Sequence, residues 1–330
     1  MKIFIIGSNS FMGASLINFI QTYNRNKFKI FGCSRSKEKS KYFNIYKKNK
    51  HNKFQFFKID LNNDIKKLII KLEKIKPEII FNFAAQSIVE YSWIKPEHWF
   101  DTNLKSNIKL LEYLKDVKYL KKYFQSSTPE VYGSVNKKIL ENFFYNPSTP
   151  YATSKASIDM LLKNYHDNYK FPVIFTRVSN IYGPGQQVFK IIPKTILSLM
   201  GKKKIPLHGK GLSKRSFIYS DDVSRAMLKL IHKSKNGQIY HITNEKMYTI
   251  KEVVEIICKT MNKSFEKSVK LEKERPGKDF IYNLSSKKIK QEVKWKSEVS
   301  LSKGVTNTIN WLRNDYGYFK NIDLNYLHIK

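Results

Sequence analysis

An apolar run, Lys2-Ile3-Phe4-Ile5-Ile6, stops at Gly7-Ser8-Asn9-Ser10-Phe11-Met12-Gly13, and an amphipathic stretch follows to about Tyr23. Strand, glycine turn and helix in that order constrain the fold more than any other feature. A helix that opens directly after a strand presents unpaired N–H groups and a positive dipole end at the carboxyl edge of the sheet. Glycine there lets a phosphate reach the backbone. The spacing is G-x-x-S-x-x-G, with Ser10 where a middle glycine would be usual. Gly7, Ser10, Phe11, Met12 and Gly13 are therefore candidates to hold the pyrophosphate of a dinucleotide.

The alternation continues. Strands are expected at Phe28 to Cys33, Phe54 to Ile59, Ile79 to Phe83, Lys118 to Phe124, Val173 to Arg177 and Gln238 to Ile242. Helices are expected from Asp60-Leu61 to Lys74, over Glu97 to Leu114 with Asn103 inside it, over Ala152 to Tyr169 and over Ile250 to Met261. Strands and helices at this spacing predict an α/β fold, a Rossmann-type doubly wound parallel sheet. Turn-rich, basic segments follow Ser179-Asn180-Ile181-Tyr182-Gly183-Pro184-Gly185, and a helix cap is expected at Asp221 or Asp222. They suggest a smaller C-terminal lobe over the carboxyl edge. The expected division is 1–181 plus 218–244 for the dinucleotide domain, and 182–217 plus 245–330 for the lobe.

The second strand ends at Ser34-Arg35-Ser36, where an acid would be expected for NAD. A guanidinium and two hydroxyls suit a 2′-phosphate, so NADP is favoured and NAD is possible. Asp60 and Leu61 close the third strand. Ala84 and Ala85 after the fourth are small enough for the chain to pass close under a cofactor, and Asp60, Leu61 and Asn103 are further candidate cofactor contacts.

Ser126-Ser127-Thr128-Pro129-Glu130-Val131-Tyr132-Gly133 follows the fifth strand at the same edge. Tyr151 and Lys155 lie four residues apart at the start of a helix and so share a face. An ammonium beside a phenol favours the phenolate and lowers its pKa, which makes a base for a sugar hydroxyl. Tyr-x-x-x-Lys alone is a weak signal in a chain with 20 Tyr and abundant Lys. Its position beside the other motifs gives it weight.

Composition limits the alternatives. The 330 residues suffice for one large or two modest domains, and no run is long and apolar enough to span a membrane. The apolar N-terminus is too short for a signal peptide and reads as a buried strand. Cys33 and Cys258 have no paired spacing, which predicts a reducing, cytoplasmic location and no metal site. A net charge of +34 raises a nucleic-acid partner. The excess is almost entirely scattered Lys rather than Arg, however, and with abundant Asn, Ile and Phe it reads as compositional drift on a solvated surface. No nucleic acid and no membrane are expected as partners.

Together these motifs resemble the extended short-chain dehydrogenase/reductases, in the nucleotide-sugar epimerase and dehydratase family, over about residues 1–315. The resemblance rests on the glycine turn, Asp60-Leu61, Asn82-Phe83-Ala84-Ala85, the Thr128 segment, Tyr151/Lys155, Ser179-Asn180-x-Tyr182-Gly183 and Arg275-Pro276-Gly277. Within the family the chain is similar to the hexose 4,6-dehydratases. The dTDP-glucose members carry S-T-D-E-V-Y-G and R-P-G-H-D where this chain has S-T-P-E-V-Y-G and R-P-G-K-D.

The resemblance implies a cofactor that stays bound and is recycled, and a nucleotide-diphosphate sugar as substrate. It implies that Thr128 hydrogen-bonds the sugar 4-hydroxyl, Tyr151 is its base, Lys155 holds the nicotinamide ribose and Glu130 removes the C5 proton. It further implies substrate contacts at Ser87, Asn180, Arg215, Asn244 and Arg275. The helices around Glu97 to Leu114 and Ala152 to Tyr169 should pair in a homodimer.

Pro129 departs from the pattern, because the dTDP-glucose enzymes have there the aspartic acid that protonates the departing 6-hydroxyl. The acid is left to Glu130 itself, Tyr151 or a bound water. GDP-mannose 4,6-dehydratases also lack that aspartic acid and use NADP, and Ala84-Ala85-Gln86-Ser87 leans toward them. A 4-epimerase or a UDP-glucuronate decarboxylase of the same family is the alternative enzyme. A basic scaffold that binds nucleic acid without turnover is the alternative outside enzymes.

Overall fold

A computed structural model describes residues 1–24, 27–49, 53–273 and 281–328. Seven strands form one sheet in the order Ile239–Ile242, Val173–Val178, Lys122–Ser126, Ile79–Asn82, Lys2–Ile6, Lys29–Ser34, Gln55–Lys58. Every neighbouring pair is parallel. The first strand sits inside the sheet because the chain winds outward to one edge, then crosses back past its start. The order reverses between Lys2–Ile6 and Ile79–Asn82, and that switch point is where ligands bind in such sheets.

Period-two alternation sorts the first strand onto both faces. Ile3 and Ile5 enter a core with Ile17, Ile20, Met227 and Leu230, from the helices Phe11–Tyr23 and Ser220–Lys233. Phe4 and Ile6 enter the opposite core with Leu68, Leu110, Ile158 and Leu162. Helices Ile65–Ile75, Ser106–Leu114 and Pro150–Tyr169 cover that face. Both faces of a parallel sheet are thus buried, which accounts for the unbroken apolar strands. A third core joins Ile192, Ile196, Val253, Ile257, Val305 and Leu312 beyond the sheet.

The helix expected over Glu97 to Leu114 is not uniform. It runs α-helical over Pro96–Phe100, π-helical over Asp101–Lys105 and α-helical again over Ser106–Leu114. The fifth strand starts at Lys122 rather than Lys118. Neither Asp221 nor Asp222 caps the helix Ser220–Lys233, whose cap position is Tyr219. Asp222 is fully buried and accepts from the N–H groups of Glu298 and Val299 instead. A carboxylate in a first helical turn can turn outward when backbone amides of another segment reach it.

Short strands outside the main sheet carry the rest. Lys214–Tyr219 pairs with Asn180–Tyr182 in parallel and with Met247–Thr249 antiparallel. Ile205–His208 pairs with Val269–Glu272, and Val135–Ile139 with Tyr282–Leu284, both in parallel. Among the described residues no helix is long and apolar enough to cross a membrane.

Candidate active site

Backbone crowding makes the glycine turn. Gly7 has φ of 82°, and a Cβ there would lie 2.6 Å from the amide nitrogen of Ala84. A Cβ on Gly13 would lie 2.6 Å from the Gly7 carbonyl oxygen. The turn therefore fits against the segment after the fourth strand only with bare backbone. Ser10, in the place of a middle glycine, is the helix cap: its hydroxyl accepts from Gly13 N–H at 3.0 Å. The Phe11 and Met12 amides remain as first-turn donors aimed past the sheet edge.

Asn9 braces this turn against the exit of the second strand. Its N–H donates to the Ser34 hydroxyl at 2.9 Å, and its amide nitrogen donates to the Ser36 hydroxyl at 3.2 Å and the Lys37 carbonyl at 2.9 Å. Ser34, Arg35 and Ser36 thus stand beside the glycine turn as expected from their strand. Asp60 accepts from Asn62 N–H at 3.0 Å and from the Asn63 amide at 3.1 Å, while Leu61 is buried.

Ala84 and Ala85 enter a loop that Asn103 holds. The Asn103 side chain accepts from Gln86 N–H at 2.9 Å and donates to the Gln86 carbonyl at 3.0 Å and the Ser154 hydroxyl at 2.9 Å. Asn103 was expected among the cofactor contacts. Both its amide protons go to protein groups, and within the π-turn it is 1% exposed. Ser87, just beyond, is exposed.

The residues expected to take part in chemistry meet beyond the end of the fifth strand. Thr128 caps a short 3-10 turn, Pro129–Tyr132, accepting from Glu130 N–H at 3.3 Å. Pro129 occupies the first helical position, where its missing N–H leaves no gap in the hydrogen bonding. Tyr151 and Lys155 are both buried on the helix Pro150–Tyr169. Thr128 lies near the Tyr151 phenol and acts to lower its pKa. Lys155 Nζ donates to the Ser126 carbonyl at 2.5 Å, and the Ser126 hydroxyl reaches Met12 Sδ at 3.9 Å. The phosphate turn and the Tyr151 helix therefore join at Ser126.

The electrostatics differ from the expectation. Burial, and then the charge of Glu130, hold the Tyr151 phenol above its ordinary range, with only Thr128 lowering it appreciably. Lys155 does not offset this, because its ammonium is turned to the Ser126 carbonyl. Burial lowers Lys155 itself to about 8, opposed by Asp159. Burial also lowers Lys190, which the Glu130 charge opposes, so a cation from the loop before helix Ile191–Met200 faces that carboxylate.

A second group of expected residues converges on Phe217. Asn180 is its cross-strand partner, and the Asn244 amide donates to its carbonyl at 2.5 Å. The Ser216 hydroxyl donates to Asn244 Oδ1 at 2.9 Å. Arg215 donates to the Lys214 carbonyl at 2.8 Å and stacks over Tyr282 at 5.0 Å. Arg275 lies outside the described residues.

Asn9, Lys190, Asp159 and Arg177 went unrecognised in the sequence. Asp159 did have a signal, one turn after Lys155 on the same helix face. So did Arg177, a charge inside an apolar strand. Asn9 and Lys190 had none, because their partners are 25 or more residues away. The C-terminal Tyr326 and His328 were missed as well; Tyr326 meets Tyr91 edge-on at 5.0 Å, and His328 stacks on Trp99 at 5.1 Å. No group of three metal-ligating side chains occurs among the described residues.

A family model described as GDP-mannose 4,6 dehydratase matches residues 4–308. The chain is similar to the dTDP-D-glucose 4,6-dehydratase of Homo sapiens, 36% identical over 282 residues that cover 83% of this chain and 79% of that protein. Among solved structures it is similar to dTDP-glucose 4,6-dehydratase from Bacillus anthracis in complex with NAD, with a TM-score of 0.86 and 29% identity over 96% of this chain and 98% of that one. It is also similar to UDP-glucuronic acid 4-epimerase from Bacillus cereus in complex with UDP-glucuronic acid and NAD, with a TM-score of 0.84 and 25% identity over 96% and 100% of the two chains.

Proposed function

We propose, from the premise that the chain belongs to the nucleotide-sugar dehydratase and epimerase family whose model is described as GDP-mannose 4,6 dehydratase, that it is a nucleotide-sugar 4,6-dehydratase of the dTDP-glucose type. It is an enzyme, a hydro-lyase. One observation carries the choice among the family's reactions. Glu130 stands two residues from Thr128, with its charge acting on the Tyr151 phenol and on Lys190. A 4-epimerase needs the tyrosine and a dinucleotide but no carboxylate at that place. A dehydratase needs both.

The bare glycine turn, the Phe11 and Met12 amides and the capped helix start fit a dinucleotide diphosphate. The nicotinamide supplies the acceptor, and later the donor, of a hydride. Tyr151 takes the proton of the sugar 4-hydroxyl, which Thr128 orients. Because burial holds the phenol up, Tyr151 acts as a base once Lys155 turns from the Ser126 carbonyl toward it.

Oxidation at C4 makes the C5 proton acidic, and Glu130 removes it. Pro129 has no proton to give, so Glu130 returns its own to the departing 6-hydroxyl and water leaves. Asn180, Arg215, Asn244 and Arg275 hold the nucleotide diphosphate, and Ser87 is a further substrate contact.

NAD is the dinucleotide that the solved relatives support. NADP is the second reading, favoured by Arg35 and by a strand end without a carboxylate. The division into 1–181 plus 218–244 and 182–217 plus 245–330 is retained, as is a homodimer. Partly exposed Ile108 and Met160 on the two pairing helices support the dimer, which light scattering at micromolar concentration tests. Two buried free cysteines suit a reducing cytoplasm.

The deciding experiment incubates purified protein with a panel of nucleotide sugars and identifies products by mass and NMR. A 4-keto-6-deoxy product is expected. Inversion at C4 without loss of water selects the epimerase reading, and release of CO2 the decarboxylase.

A further inference from the structure

Asp159 lies one turn beyond Lys155 on the helix that carries Tyr151, and it is completely buried. Ser127 Oγ donates to Asp159 Oδ2 at 2.5 Å, and Arg177 Nη2 donates to the same oxygen at 3.3 Å. Ser126, the residue before, receives Lys155 Nζ on its carbonyl. Two successive strand-end residues are therefore each held by one of two successive turns of the same helix. Thr128 follows them directly, and its alignment with Tyr151 rests on the Ser127–Asp159 attachment, which does not involve Lys155.

The cation of the pair is equally enclosed. Arg177 is 0% exposed, its guanidinium lies 4.3 Å from the Tyr132 ring and 5.3 Å from that of Tyr145, and Nη1 donates to the Asn142 carbonyl at 3.0 Å. Tyr132 ends the turn that carries Glu130. Arg177 thus packs under the Glu130 turn while its partner Asp159 holds the Thr128 segment. A buried ion pair contributes little net stability compared with apolar packing of the same volume, whereas removing one partner leaves a charge stranded. A pair at this spot makes more sense as a positioning device than as a stabilising one.

We propose that Asp159, with Ser127 and Arg177, is a positioning residue that locks Ser126–Thr128 to the Tyr151 helix and sets a carboxylate one helical turn from Lys155. The charged and titratable groups around Asp159 are Lys155 and Tyr151 on its own helix, Arg177 from the neighbouring strand and Tyr145 from the loop above. Asp159 is the one charge that favours protonated Lys155 against burial. Its loss lowers the Lys155 pKa further, so the ammonium disappears at a lower pH. This inference rests on the proposed catalytic roles of Thr128, Tyr151 and Lys155, yet its first test needs no turnover.

In protein carrying isotope-labelled lysine, NMR follows the Lys155 ammonium through a pH titration, with Lys155→Arg to assign the resonance. Asp159→Asn should lower its midpoint by about one unit or more, the effect expected for loss of an adjacent opposite charge. An unchanged midpoint in folded Asp159→Asn overturns the proposal, whether or not the wild type dehydrates any nucleotide sugar.

Turnover supplies the second test. The alkaline limb of the kcat profile should move to lower pH in Asp159→Asn, with KM for the sugar nucleotide unchanged. Should Asp159→Asn fail to fold, Ser127→Ala keeps the ion pair and removes only the attachment. It should lower kcat roughly tenfold at constant KM, about the worth of one hydrogen bond to a charged group, with recovery in Ser127→Thr. Wild-type kcat in Ser127→Ala overturns the proposal.

Discussion

Asn103 and Ser154 are joined at 2.9 Å, which ties a π-helical turn of one helix to the helix that bears Tyr151 and Lys155. The same amide holds Gln86 by two backbone bonds. One side chain therefore bridges the loop after the fourth strand and the helix of Tyr151.

Asn103→Leu should remove three buried hydrogen bonds while keeping the volume. Each unsatisfied partner costs about 1–3 kcal/mol, so a loss of a few kcal/mol in denaturant unfolding is expected, with kcat falling alongside. Unchanged stability would mean that the π-turn holds its shape without the amide.

Glu130→Gln keeps the size of the side chain and removes the proposed base. The variant should still show the absorbance of reduced nicotinamide with the right nucleotide sugar, but give little 4-keto-6-deoxy product. A rate loss of roughly 10²–10⁴ is expected for a general base. Tyr151→Phe should suppress the reduced-nicotinamide signal itself. Dehydration at the wild-type rate in Glu130→Gln would move the epimerase reading ahead.

Arg35→Ala separates the two dinucleotides. A charge-assisted hydrogen bond contributes about 1.5–3 kcal/mol, so NADP binding should weaken by that amount and NAD binding much less. Titration calorimetry with each cofactor measures both. Equal losses would remove the NADP reading and leave NAD.

His241 should make the fold acid-sensitive. It is buried, its ring bonded to the Tyr132 hydroxyl at 2.8 Å and the Ser285 carbonyl at 3.2 Å, with the Glu141 carboxyl 3.9 Å away. Burial, and then the charge of Arg177, lower its pKa to about 3. The unfolded chain binds this proton near pH 6.5 and the folded chain does not. The contribution is therefore complete above about pH 6.5 and is lost on acidification toward pH 3, at roughly 1.4 kcal/mol per unit. Chemical denaturation between pH 7 and 5 should give a flatter dependence for His241→Gln than for the wild type. Parallel curves would show that other groups carry the effect.

Local periodicity and local spacing were sufficient for much of this protein. The alternation of apolar strands and amphipathic helices determines the parallel sheet, because each element declares its buried face within a few residues. The glycine turn, the strand-end Thr128 and the shared face of Tyr151 and Lys155 are likewise set by neighbours along the chain.

The tertiary structure decided what those residues face. The direction of Lys155 depends on a carbonyl 29 residues away, and the high phenol pKa of Tyr151 on what packs above it. Asn103 became a brace because a π-turn, invisible to a 3.6-residue pattern, points it inward. The short strands Val135–Ile139 and Val269–Glu272 have partners about 145 and 65 residues distant, roughly as far as their pairing registers imply. Asp159 met Arg177, and Lys190 met Glu130, only by folding. Charge and protonation depend on burial and on neighbours in space. No linear pattern fixes either until the sheet has brought the strand ends together.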